Sequence, residues 1–97
     1  MSQVQSANTT LTLFVTGRAP RSERARAHLH AILREIGRDV ESVREIDLLQ
    51  QPLLTIEYGI FATPALLRED TADSRTILYG DLSDNASLRR FLLESDQ

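Results

Sequence analysis

The segment Gly17-Arg18-Ala19-Pro20-Arg21-Ser22 joins an apolar strand to the start of an amphipathic helix. A Cys-Pro-x-Cys pair at such a place performs thiol–disulfide exchange, because a helix N-terminus and nearby positive charge lower the thiol pKa. Here Ala19 and Ser22 stand at the two sulfur positions, and the chain has no cysteine. Disulfides, thiol catalysis and thiolate metal sites are therefore excluded. Ser22 has two readings. Its hydroxyl could serve a serine-based transferase acting on glutathione or a related thiol, or it could cap the helix by accepting a free first-turn amide; the cap is the favoured reading.

The other candidate groups are poorer in chemistry. His28 and His30 are two apart on the expected helix and point about 200° from one another, so they cannot share a metal ion. Glu45 and Asp47 share a strand face without a partner base, which reads as a solvated edge. The Gly17 loop lacks the glycine spacing and lysine of a phosphate loop. No residue is assigned as catalytic, no metal ligand set is present, and no cofactor is expected.

Arg18, Arg21, Arg24 and Arg26 crowd the helix start. Positive charge there opposes the helix dipole by about 0.3–1 kcal/mol per residue. Residues placed against local preference point to a partner contact, with a solvated cluster as the plainer alternative. All eleven basic residues are arginine. Codon bias accounts for that, and it also gives a surface suited to planar, bidentate carboxylate contacts. The net charge of -3 argues against general nucleic-acid binding.

These residues need a scaffold, and the periodicity supplies one. Residues 10–16 read as a strand with Leu11, Leu13 and Val15 on one face and Phe14 and the threonines on the other, as in a central strand covered on both sides. Residues 22–36 form the clearest helix, with Ala25, Leu29, Ile32, Leu33 and Ile36 on one face and Gly37 as the stop. Residues 40–47 read as an edge strand of mixed polarity. Residues 52–58 read as a short helix started by Pro52 and ended by Gly59. Strands at 65–69 and 75–79 flank a polar turn, and a last helix runs from about 84 to 94, capped by Ser83, with Leu88, Phe91 and Leu92 on one face.

The order is β-α-β-α-β-β-α in one α/β domain over residues 10–94, between a tail at 1–9 and another at 95–97. The first two strands should be parallel through a right-handed crossover, and the last two should form an antiparallel hairpin. This is the thioredoxin-like order, with a central mixed four-stranded sheet. In that order Thr63-Pro64 holds the place of a structural cis-proline, Pro64, facing the start of the first helix. No apolar run approaches the ~20 residues needed to span a bilayer, and Met1 to Asn8 lacks the regions of a signal peptide. A cytoplasmic protein without membrane association is expected.

Four segments in order resemble the KaiB family of circadian clock proteins: Leu13-Phe14-Val15-Thr16-Gly17-Arg18-Ala19-Pro20-Arg21-Ser22, Ile46-Asp47-Leu48, Ala62-Thr63-Pro64-Ala65-Leu66 and Gly80-Asp81-Leu82-Ser83. The resemblance implies a non-enzymatic adaptor for clock timing or signalling. Family members bind the N-terminal ATPase ring of KaiC in a thioredoxin-like form, displace a sensor histidine kinase and help capture KaiA. Many also adopt a second fold with a rearranged C-terminal half and assemble into tetramers, so the family is metamorphic.

Carried over residue by residue, the resemblance puts partner binding on Arg24 of the first helix, on Arg44 in place of a lysine, and on Ile46 of the second-strand edge. Gly59 replaces a family lysine. Phe91 and Leu93 replace a glycine and an aspartate in the last helix, and a proline-rich stretch is absent after the third strand. Glycine in a helix costs about 1 kcal/mol relative to alanine, and a buried phenylalanine adds about 1.5–3 kcal/mol. Phe91 and Leu93 are thus expected to determine the fold switch in favour of a thioredoxin-like monomer over the alternative tetramer. Two other functions fit the same scaffold: a domain regulating a histidine kinase without a clock, and a cysteine-free glutathione-binding protein using Ser22 and Pro64.

Overall fold

The computed structural model describes residues 9–70 and 74–93. Strand β1 (Thr10–Val15) is buried on both faces, and this follows from its pattern. Leu11, Leu13 and Val15 enter one core with Leu29, Leu33 and Leu88, while Phe14 enters a second with Ile46, Ile60, Ala65 and Leu67. A strand apolar on both faces has to be central. It lies between β2 (Arg44–Asp47) and β3 (Ala65–Glu69), with β4 (Arg75–Tyr79) outermost, giving the order β2-β1-β3-β4. β1 and β2 are parallel, with Phe14 beside Ile46; β1–β3 and β3–β4 are antiparallel.

Helix α1 (Pro20–Glu35) starts two residues earlier than its apolar periodicity indicates. Pro20 fits the first turn, where its missing N–H is not needed, and Ala19 stands at the cap without a side-chain bond. Ser22 is therefore not the cap. Its buried hydroxyl accepts from the Thr16 amide at 3.1 Å and ties the end of β1 to the first turn of α1. At the other end, Arg38 N–H donates to the Leu33 carbonyl and Gly37, at φ +80°, makes the left-handed turn that closes the helix.

The expected strand at 40–47 is shorter. Asp39 accepts from Glu41 N–H at 2.9 Å and starts a 3-10 turn over Val40–Ser42, so extended pairing begins only at Arg44. The short helix α2 (Leu54–Tyr58) follows turns in which Leu54 and Thr55 donate to Gln51 and Pro52. Pro52 thus shapes the approach rather than the helix itself. Gly59, at φ +67°, ends α2 as the sequence indicates.

Helix α3 (Asn85–Leu93) places Leu88, Phe91 and Leu92 in the first core beside α1. Asp84, not Ser83, caps it: its carboxylate accepts from Ser87 N–H at 3.2 Å and from the Ser87 hydroxyl at 2.9 Å. Between β4 and α3, Leu82 is buried with φ +62°, the one non-glycine positive φ among the described residues. The Thr63–Pro64 bond is cis, as expected from its context. The middle of the polar turn between β3 and β4, and both tails except Thr9, lie outside the described residues.

Candidate partner-binding surface

The start of α1 carries its arginines on separate tethers. Arg24 Nε lies 3.2 Å from Asp81 Oδ2, so the helix is tied to the loop that precedes α3. Arg26 reaches the other way, to Glu45 on β2 at 2.5 Å and back to Glu23 at 2.7 Å. The hydrogen bond to Glu45, helped by the charges of Glu45 and Glu23, raises the Arg26 pKa above its ordinary value despite partial burial. Arg18 is largely exposed, with Glu23 at 3.4 Å. Glu23 and Glu45 thus relieve the crowding of positive charge read from the sequence.

Asp81 is a small hub. It accepts from Ser83 N–H, and His28 Nδ1 lies 2.8 Å from its carbonyl. A carbonyl only accepts, so His28 Nδ1 carries the proton in this contact. Hydrogen bonds from Ser83 and then Arg24 hold the Asp81 carboxyl below its ordinary value. Asp84 is likewise lowered, chiefly by Ser87.

Arg44 and Ile46 lie on the β2 edge, but on the sheet face opposite α1. Arg44 is in register with Thr12 and is exposed. Ile46 is only 3% exposed and packs in the second core, so its side chain is structural. What β2 offers outward is backbone. Leu48 N–H bonds to Val15, so by alternation Arg44 and Ile46 turn inward and Glu45 N–H and C=O and Asp47 N–H face an edge that no strand covers among the described residues. Asp47 also holds the adjoining loop, its carboxylate accepting from Gly17 N–H at 2.9 Å and Leu49 N–H at 3.0 Å. Arg24 and Arg44 therefore do not form one patch; α1 and the β2 edge stand between them.

At the former thiol position, the Thr16 and Thr63 hydroxyls bond to one another beside cis-Pro64. Ser22 is occupied by Thr16 N–H, and the ring of His28 faces Asp81. No base contacts Ser22 among the described residues, so this site shows no activated nucleophile. The described residues hold no group of His, Asp and Glu able to bind a metal.

A second surface escapes a reading based on charge. Leu53, at the N-cap of α2, and Ile56, within it, are 77% and 79% exposed, and Phe61 is 90% exposed. Phe61 pairs with Tyr79 at 6.3 Å between ring centroids, and its N–H donates to the Tyr79 hydroxyl. The signal was present in the short segment 53–58, where Leu53, Leu54, Ile56 and Tyr58 are more apolar side chains than one helix face can bury.

The KaiB domain family matches residues 12–93. A circadian clock oscillator protein KaiB of Prochlorococcus marinus (strain MIT 9211) is 42% identical over 74 residues, which cover 76% of this chain and 64% of that protein. KaiB of Microcystis aeruginosa is 42% identical over the same length, covering 70% of that protein. The N-terminal domain of Synechococcus elongatus SasA superposes with a TM-score of 0.68 at 30% identity, over 92% of this chain and 87% of that domain. The thioredoxin Deadhead of Drosophila melanogaster, at 14% identity, TM-score 0.69 and 90% and 80% coverage, shares the fold alone. With a thioredoxin-like sheet that carries no thiol and a family match spanning most of its length, this chain belongs to the KaiB family.

Proposed function

We propose that the protein is a non-enzymatic clock or signalling adaptor of the cytoplasm, binding the ATPase ring of a KaiC-type protein through the β2 edge and the α1 surface. The observation that carries this reading is an open edge strand in a KaiB-family domain, with outward amides at Glu45 and Asp47 and the exposed guanidinium of Arg44 beside them. A partner strand gains main-chain hydrogen bonds at such an edge and side-chain selection from alternate residues. Arg24, on the side of α1 that faces Asp81, supplies charge at a separate point of the α1 surface. A KaiA-like protein is a further candidate for the complex.

Binding of the purified protein to a KaiC-type ring, followed by calorimetry, tests the proposal. Arg44→Glu should weaken association while the thermal midpoint stays close to that of the parent. Arg24 is better replaced by Gln than by Glu, because a carboxylate there would face Asp81. Parent-like affinity in both variants, or no association by the parent, overturns the assignment.

The likeness to the SasA domain at 30% identity favours a second reading, a domain acting on a histidine kinase without a clock. Association with a kinase sensor domain in the absence of any ring protein distinguishes it. The glutathione reading has little support, since Ser22 is buried and its oxygen engaged.

A further inference from the structure

The two outer strands of the sheet differ in what a second copy of the same chain would meet. At the two ends of the β3–β4 pair, Gly80 N–H donates to Pro64 O at 3.0 Å, and Asp70 N–H donates to Ser74 O at 3.0 Å. With the register Leu66↔Leu78 and Arg68↔Thr76, the even-numbered residues of β4 bond inward to β3. Arg75, Ile77 and Tyr79 therefore turn their N–H and C=O groups outward. No strand covers this edge among the described residues.

An edge can pair with its own copy only if the two-fold opposes compatible residues. On β2 the outward residues are Glu45 and Asp47, and antiparallel self-pairing sets carboxylate against carboxylate. On β4, a two-fold at Ile77 sets Ile77 against Ile77 and Arg75 against Tyr79 in both directions. Arg75 already lies against an aromatic face, its guanidinium 5.3 Å from the Tyr58 ring, while its Nε is paired with Glu69 at 3.1 Å. Tyr79 keeps enough exposure, 40%, to receive a second one. The strand has no proline and one charge, so it lacks the usual devices that block edges.

We propose that the outer edge of β4 is a two-fold self-association site, where a second copy of this chain pairs antiparallel through Arg75, Ile77 and Tyr79 and extends the sheet across both molecules. Five paired residues fall short of the ~1,200–2,000 Å² of stable interfaces. The dimer is accordingly weak: the protein is the monomer expected from its sequence when dilute and a dimer when concentrated. This leaves the β2 edge and α1 free in each copy.

Sedimentation equilibrium of the full chain over a wide concentration range tests the proposal. The weight-average mass should climb from monomer toward dimer. Tyr79→Arg should hold the protein at monomer mass by opposing two guanidinium groups, and Arg75→Tyr combined with Tyr79→Arg should restore association by exchanging the pair. Ile77→Pro removes an outward N–H without touching a bond to β3, and should also hold the protein at monomer mass, with circular dichroism confirming that it folds. A parent that stays monomeric at the highest concentration, a tetramer mass, or a folded Ile77→Pro variant that associates like the parent overturns the proposal. Ring binding is read separately and is not affected by either result.

Discussion

Arg68 of β3 holds Phe91 of α3 twice: its guanidinium lies 5.1 Å from the centroid of the Phe91 ring, and Nη1 donates to the Phe91 carbonyl. That carbonyl belongs to the last turn of α3, whose acceptors lack intrahelical donors. One cation thus meets the negative end of the helix and the face of its largest core side chain. The contact joins β3 to α3, which are the elements expected to rearrange if this chain switches fold.

Arg68→Met should keep the apolar stem and remove both contacts. A loss of about 1–3 kcal/mol is expected, from a charged hydrogen bond and a cation–π contact. Chemical denaturation gives the magnitude, and amide exchange should rise first in α3. Unchanged protection of Leu88 to Leu92 would show that the contact contributes nothing.

Phe91 is 7% exposed in the first core, whereas Leu93 is 50% exposed at the helix end. The two differences from the family pattern should therefore act unequally. Phe91→Gly should cost about 3–5 kcal/mol, as for deletion of a buried aromatic, plus the helix penalty of glycine. Leu93→Asp should cost under about 1 kcal/mol, chiefly by placing a negative charge at the helix C-terminus. Secondary chemical shifts across 85–93 and solution mass would follow any alternative fold in Phe91→Gly; equal effects of the two variants would refute the ranking.

Acid should loosen the start of α3. The folded pKa values of Asp81 and Asp84 are both lowered from an ordinary 3.8. A depressed carboxyl favours the folded state above its unfolded pKa, and this contribution fades as pH falls through the folded value. The loss thus belongs below about pH 4 and leaves neutral pH unaffected. Asp84→Asn should flatten the acid limb of the stability curve; a limb identical to the parent's would exclude this origin.

Pure protein should not reduce insulin disulfides, because Ala19 and Ser22 occupy the sulfur positions and no cysteine exists elsewhere. A turbidity assay with thioredoxin as positive control checks this directly.

The sheet was legible because β1 carries two apolar faces and α1 one stripe, and burial enforces both. Helix starts were less legible. Ser22 and Ser83 suit a cap by residue type, yet Pro20 and Asp84 take the first-turn roles through geometry set by the preceding loops. Residues 40–43 look extended by their valines, but Asp39 turns them locally. At the candidate surface, the arginine cluster pointed to Arg24 and the family resemblance to Arg44, but neither indicated that Arg24 is tied to Asp81, a residue 57 positions away in sequence. The burial of Ile46 and the exposure of Phe61 depend on which face meets a neighbour, which type alone does not state.

Leu82 combines a left-handed backbone with a side chain buried in the first core. The backbone geometry costs about 1–2 kcal/mol in an L-residue, and the burial returns about 1.5–3 kcal/mol. The two terms nearly cancel, so the joint is held closed by its neighbours rather than by its own conformation. When α3 leaves its seat, the burial is lost and the backbone relaxes in the same event. Leu82 therefore couples loop geometry to helix docking: a C-terminal helix that left its seat while the loop kept this φ would retain the strain without its compensation.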